Sequence, residues 1–198
     1  MSKSVRYLLI SLGILVAVVI VGYLAVFLMM SSIFGPYSSK AELIENYEDK
    51  PAEIYAVQQW MQHRVPQNCQ VYIEFDGEDK LGILRVSVAD SAFQAWDLPI
   101  ASNKTQRALN LLGWEPAVLQ EAREKLDQAN CISVRSGEPC QIGFRRSGMG
   151  MYFYNVFARP LSDSVKRMYN DSCHYLPYKP QVVLEHEGGA AGPQCFPD

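Results

Sequence analysis

An uninterrupted apolar run near the N terminus constrains this chain most. Residues 8–30 read LLISLGILVAVVIVGYLAVFLMM and contain no charged side chain. A helix of that length spans about 34 Å, enough to cross a hydrocarbon core of roughly 30 Å. The run therefore predicts a transmembrane helix over residues 8–30, after a cytoplasmic tail over residues 1–7. A cleaved signal peptide is the alternative, but its apolar region is shorter and ends at a small-residue cleavage site.

The charges that flank this run predict its orientation. Lys3 and Arg6 precede it, whereas the first basic residue after it is Lys40. Positive charge is retained on the cytoplasmic side of a membrane helix. The sequence therefore predicts a single-pass protein of the cell membrane, with the membrane as an integral partner, the N terminus in the cytoplasm and the C-terminal part outside.

The remainder of the chain has the size of one domain. Residues 31–40 are predicted to be a linker and residues 41–198 a soluble domain. Of the 18 basic residues in the chain, two precede the apolar run, which leaves 16 against 21 acidic residues after it. This mildly acidic balance argues against a nucleic-acid partner, which would need a basic surface.

Hydrophobic periodicity in this domain predicts an α+β fold. Residues 71–75 and 84–88 alternate as a β-hairpin, and helical patterns precede the hairpin and follow it from Asn103 and from Pro116. Residues 90–102 read as irregular. Later strands and a short helix follow without βαβ alternation, so we expect a mainly antiparallel sheet of about six strands with two or three helices on one face.

Five cysteines, at positions 69, 131, 140, 173 and 195, indicate disulfide chemistry if the domain lies in an oxidising compartment. Cys173–Cys195 is the preferred pair, because it would tie down a segment rich in Pro and Gly. Cys131–Cys140 is the next pair. The alternative is that all five are reduced and some are buried as small apolar side chains.

The aromatic strand around residue 153 carries the candidate docking surface. Tyr152 and Tyr154 alternate onto one face, and Arg145 and Arg146 lie shortly before them. Tyr and Arg are enriched at binding hot spots. These four residues are therefore predicted to contact a protein partner, and the alternative is that the tyrosines pack inside the domain.

Catalytic and cofactor patterns are weak. His174 and His186 are the candidate bases for a hydrolase, but Cys173 and His174 would point to opposite faces of a strand. The glycine-rich segment 188–192 lacks the Lys-Ser/Thr of a phosphate-binding loop, and no second His completes a metal motif at Glu185-His186-Glu187. No catalytic residue, metal or cofactor is predicted.

Three functions remain as hypotheses. The leading one is an extracytoplasmic binding domain, of an inhibitor or immunity type or an accessory subunit of an envelope complex. The second is an envelope hydrolase that uses His174 or His186. The third is a structural scaffold that acts through the membrane anchor itself.

Overall fold

The computed structural model describes residues 3–33, 38–89, 91–147, 150–171, 173–189 and 195–196 of the chain. Within the first helix it describes the side chains of residues 13–28. The chain divides into two units, Met1–Tyr37 and Ser38–Asp198.

The first unit is helix α1 (Lys3–Ile33). In the described part of the chain, no helix combines the length and the apolar character that a membrane crossing needs. The prediction of a transmembrane helix over residues 8–30, with the membrane as an integral partner, is therefore wrong. The side chains of residues 8–12 and 29–30 lie outside the described part.

The second unit is an α+β domain. Its helices are α2 (Lys40–Asp49), α3 (Pro51–Arg64), α4 (Asn103–Leu112), α5 (Pro116–Gln128) and α6 (Asp163–Met168). Its strands are β1 (Cys69–Phe75), β2 (Lys80–Val88), β3 (Ser91–Pro99), β4 (Ser133–Arg135), β5 (Cys140–Ser147), β6 (Gly150–Val156), β7 (Tyr175–Lys179) and β8 (Val182–Glu187).

Local sequence explains where the helices begin. Ser39 and Glu42 form a capping box at the start of α2, and the Ser102 hydroxyl accepts a hydrogen bond from Thr105 N at the start of α4. Proline stands in the first turn of α3 and of α5, where its missing N–H would have no partner in any case. Gly113 ends α4 in the left-handed conformation.

All the strands join one antiparallel sheet in the order β3-β2-β1-β4-β5-β6-β8-β7. The sheet has eight strands among the described residues, so the expectation of about six is wrong. The two missed strands are β3 and β7, which form the edges of the sheet. Edge strands are exposed on more sides than central ones and carry a weaker apolar alternation, and β7 also contains Pro177.

One face of the sheet packs on α2 to α5 and forms the main core. Val71, Ile73, Leu84, Ile142 and Leu184 from the strands belong to the same buried cluster as helix residues of α2, α3, α4 and α5. The helix residues in this cluster include Leu43, Ile54, Leu109, Leu119 and Leu126. Four helices pack on this face, so the expectation of two or three helices on one face is wrong in its count.

The opposite face of the sheet is also covered in part. Every residue of β6 is buried, so neither face of this strand is open to solvent. Val183, on the face opposite to the main core, forms a second buried cluster with Phe157 and Leu161. Val165 of α6 packs against that cluster, and α6 therefore lies on the other side of the sheet from the remaining helices of the domain.

A buried hydrogen-bond network connects the helices to β6. The Tyr154 hydroxyl donates to Leu43 O over 2.8 Å and accepts from Asn46 Nδ2 over 3.0 Å. Asn46 Nδ2 also donates to Ala129 O, and its Oδ1 accepts from Asn130 Nδ2. One network therefore joins α2, the turn after α5 and the central strand β6.

Removing one hydroxyl from this network should destabilise the domain. In Tyr154→Phe, the carbonyl of Leu43 and the amide of Asn46 lose a buried partner, which costs roughly 1–3 kcal/mol. Urea unfolding followed by tryptophan fluorescence measures the change. Tyr178→Phe is the matched control, because its hydroxyl contact with Glu48 is exposed and we expect a change of less than about 0.5 kcal/mol. Equal stability of wild type and Tyr154→Phe would contradict this role.

Candidate binding cleft

Three polar side chains lie buried on the sheet face opposite to the main core. Gln141 of β5 pairs directly with Asn155 of β6, and Glu185 of β8 lies beside them. Their sequence neighbours Ile142, Tyr154 and Leu184 face the main core, so alternation places these three on the other side. We call Gln141, Asn155 and Glu185 the polar floor.

Hydrogen bonds hold the polar floor together. Gln141 Nε2 and Asn155 Nδ2 both donate to Glu185 Oε2, each over 2.7 Å. Glu185 is 8% exposed, and none of the ion pairs among the described residues includes it. A carboxylate is thus held in the sheet by neutral donors, without a cation to balance its charge.

A cleft of about 470 Å³ opens above the polar floor. Its wall is formed by the half-buried side chains of Tyr169, His174 and Tyr175. The rings of Tyr169 and Tyr175 meet edge to face, with centroids 5.0 Å apart. Burial, the charge of Glu185 and a hydrogen bond to Glu185 raise the pKa of Tyr175 to about 12, so its hydroxyl stays protonated above the floor.

A single aspartate organises the part of the wall that leads into β7. Asp171 Oδ1 accepts from the backbone N–H groups of Cys173, His174 and Tyr175, at 2.9 to 3.0 Å. Its other oxygen pairs with His174 Nδ1. Burial alone would raise the pKa of Asp171, but these backbone and side-chain donors lower it overall.

A disulfide braces the same wall from the other side. The sulfurs of Cys173 and Cys195 are 2.08 Å apart, and this is the pair that the sequence favoured. Cys173 O accepts from Phe196 N over 2.9 Å, and Phe196 stacks on Tyr152 with centroids 5.7 Å apart. The bond thus fixes residues 195–196 next to the wall residue His174. The alternative in which every cysteine is reduced does not describe this structure.

The other three cysteines are free, so the alternative pair Cys131–Cys140 is not formed. Cys131 and Cys140 are buried, whereas Cys69 is half-buried. Burial raises the pKa of the Cys140 thiol to about 12 and also raises that of Cys131. Protonated, buried thiols are poor nucleophiles. Within the described residues, no group of three His, Cys, Asp or Glu side chains is placed to hold a metal ion.

Two of the four residues of the predicted docking surface are buried, so the four do not form one exposed surface. Tyr152 and Tyr154 do share a face of β6, but both rings are 0% exposed and belong to the main core. Arg145 is exposed and bonds Asn130 Oδ1, while Arg146 pairs with the buried carboxylate of Glu74. Tyr154 packs under α2, and Tyr152 stacks on His186 and Phe196. Both tyrosines therefore pack inside the domain, as in the alternative.

The two histidines proposed for catalysis have different surroundings. His174 lies in the cleft wall, paired with Asp171. His186 is buried, stacks on Tyr152 with centroids 4.4 Å apart and has Nδ1 3.0 Å from Cys195 O. A hydrolytic base must reach water or a nucleophile, and of the two only His174 has a half-exposed position from which to do so.

Sequence reasoning missed the polar floor and most of the wall. Glu185 was considered as one residue of a linear Glu-His-Glu group, whereas its partners come from two other strands. Gln141 and Asn155 carry no motif. The signal that was available is a polar residue between apolar neighbours, at Gln141 between Cys140 and Ile142 and at Asn155 between Tyr154 and Val156.

Removing the Asp171 carboxyl should loosen the cleft wall. In Asp171→Ala, the amides of residues 173–175 lose their acceptor, and we expect roughly tenfold faster hydrogen exchange there. Asp171→Asn is the control, because it retains Oδ1. The pKa of Asp171 is lowered in the folded state, so its stabilising contribution is present above its unfolded value of 3.8 and lost as pH falls below that value. Unchanged exchange at pH 7 in Asp171→Ala would contradict this role.

Comparisons with known proteins give no family for this chain. No protein-family model, no curated protein and no solved structure matches it. A functional assignment therefore depends on the geometry of the cleft.

Proposed function

We propose that this chain is a non-enzymatic binding domain that works outside the cytoplasm and holds a protein partner at the cleft above the polar floor. An inhibitor, an immunity-type protein and an accessory subunit all fit this description. The observation that carries the proposal is the disulfide Cys173–Cys195 beside the cleft wall. A bond that fixes the wall lowers the ordering entropy that binding would otherwise require.

The same disulfide supports the proposed compartment. Disulfides persist in oxidising compartments and are rare in reducing ones. The free thiols are compatible with such a compartment, because burial of Cys131 and Cys140 slows their oxidation.

The thiol state of the chain tests the compartment. The chain is isolated from its host under rapid alkylation, unfolded without reductant, alkylated with a second reagent and digested for mass spectrometry. We expect alkylation of Cys69, Cys131 and Cys140 and a peptide pair linked through Cys173 and Cys195, as in the structure. Alkylation of all five cysteines would contradict an oxidising location.

Capture of the partner tests the function. The immobilised chain is incubated with an extracytoplasmic extract of its host, and retained proteins are identified with and without the double change His174→Ala and Tyr175→Ala. Loss of two wall contacts should weaken retention at least tenfold, because hot-spot truncations cost more than about 1 kcal/mol each.

Trp96→Ala is the matched control for loss of an aromatic ring. Trp96 is 59% exposed on β3, at the opposite edge of the sheet. Retention should be unchanged by this substitution. Circular dichroism and urea unfolding establish that each variant is folded. A retained protein that binds wild type and the folded wall variant equally would refute the cleft as the binding site.

A hydrolase that uses His174 is the second candidate. The pairing of His174 with Asp171 inside a cleft favours it, because such a carboxylate orients an imidazole that acts as a base. Against it, no Ser, Thr or Cys side chain is among the described residues that line the cleft. Hydrolysis of a captured protein that stops in His174→Ala alone would select this candidate over the binding domain.

A further inference from the structure

We infer that the cleft receives a primary ammonium group, carried by a lysine side chain of the partner. This inference rests on the proposed binding function and names the chemistry that the cleft recognises. It follows from the unbalanced charge of the polar floor, from an acceptor there that has no donor, and from the aromatic wall.

The floor lacks a cation. Glu185 is nearly buried and forms no ion pair with any described residue. The lining cation Arg135 places its guanidinium over the Tyr72 ring, 4.9 Å from its centroid, and its Nε has no acceptor among the described residues. His174 is paired with Asp171. Glu187 adds a second carboxylate at the exposed rim. An incoming cation would therefore complete the charge pairing that the protein leaves open.

The floor also has an acceptor without a donor. Gln141 is 9% exposed, and its Nε2 bonds Glu185, which fixes the direction of the amide. Its Oε1 has no hydrogen-bond partner among the described residues. A buried unpaired acceptor costs about 1–3 kcal/mol. A primary ammonium carries several N–H donors, so it can bond a carboxylate oxygen and an amide oxygen together.

The wall suits an organic cation. Tyr169 and Tyr175 present rings at an interplanar angle of 80°, and Phe157 meets Tyr169 edge to face with centroids 5.4 Å apart. Tyrosine faces attract a cation within about 6 Å of the ring centre. They also pack against the methylene groups of a lysine side chain. An anionic ligand would meet the charges of Glu185 and Glu187 instead.

Small probes test the ligand chemistry on the intact wild-type chain. Butylammonium imitates the end of a lysine side chain, tetramethylammonium keeps the charge without N–H donors, butan-1-ol removes the charge, and butanoate reverses it. Binding is followed by amide chemical shifts in NMR titrations. We expect butylammonium to shift the amides of β8 and β7 and to bind at least about tenfold more tightly than the other three, the effect of charge-assisted hydrogen bonds.

Glu185→Gln keeps the size of the floor residue and removes its charge. It should weaken butylammonium binding by about tenfold or more. Glu45→Gln is the matched control, since Glu45 is exposed on α2 and carries the same charge. If Glu185→Gln does not fold, the order of the four probes on wild type still decides. Tighter binding of butanoate, or equal binding of all four probes, would overturn the inference.

Competition separates this inference from the proposed function. Butylammonium should release the proteins that the wild-type chain captures through its wall. Capture that needs His174 and Tyr175 but withstands butylammonium would leave the binding function standing and overturn the lysine assignment. Binding of butylammonium to the cleft without release of captured proteins would likewise overturn the assignment to a lysine of the partner.

Discussion

The hydrogen bonds of the buried Tyr154 hydroxyl determine which residues of β6 point to each face of the sheet. The hydroxyl hydrogen-bonds to Leu43 O and Asn46 Nδ2 and so holds α2 against the central strand β6. Asn46 connects the same network to Ala129 and Asn130. Because successive side chains of a strand point to opposite faces, the position of Tyr154 in the main core also places its neighbour Asn155 on the other face. A one-residue slip of β6 would move the tyrosines out of the main core to the opposite face and remove Asn155 from the polar floor.

Polar side chains are buried on the face of the sheet opposite to the main core, and each of them needs a hydrogen-bond or ion-pair partner there. Beside the floor, Glu74 accepts from the Tyr72 hydroxyl and pairs with Arg146. Gly143 lies on the same face, where a Cβ atom would stand 2.0 Å from Ser133 Oγ and 2.5 Å from Met151 Sδ. The close approach therefore excludes any side chain there. Buried polar groups need partners, and Gln141 Oε1 has none among the described residues.

The cleft combines a rigid wall with an incomplete floor. Asp171 accepts hydrogen bonds from the backbone N–H groups of residues 173–175, and the disulfide joins Cys173 to Cys195. These two sets of contacts together hold the wall in place. Glu185 at the floor has neutral partners and no described cation. Preorganised walls improve affinity because less ordering remains to be done on binding. This combination supports the proposed recognition of a charged group.

The sequence by itself determined the local elements: the capped helices α2 and α4, the proline starts of α3 and α5, the β1–β2 hairpin and the α+β class. These depend on interactions between residues close in the chain. Tertiary structure alone decided which faces are buried, because burial depends on what packs against a strand. The fold therefore buries Tyr152 and Tyr154 in the core. It also brings together the polar floor of Gln141, Asn155 and Glu185, although 44 positions separate Gln141 from Glu185.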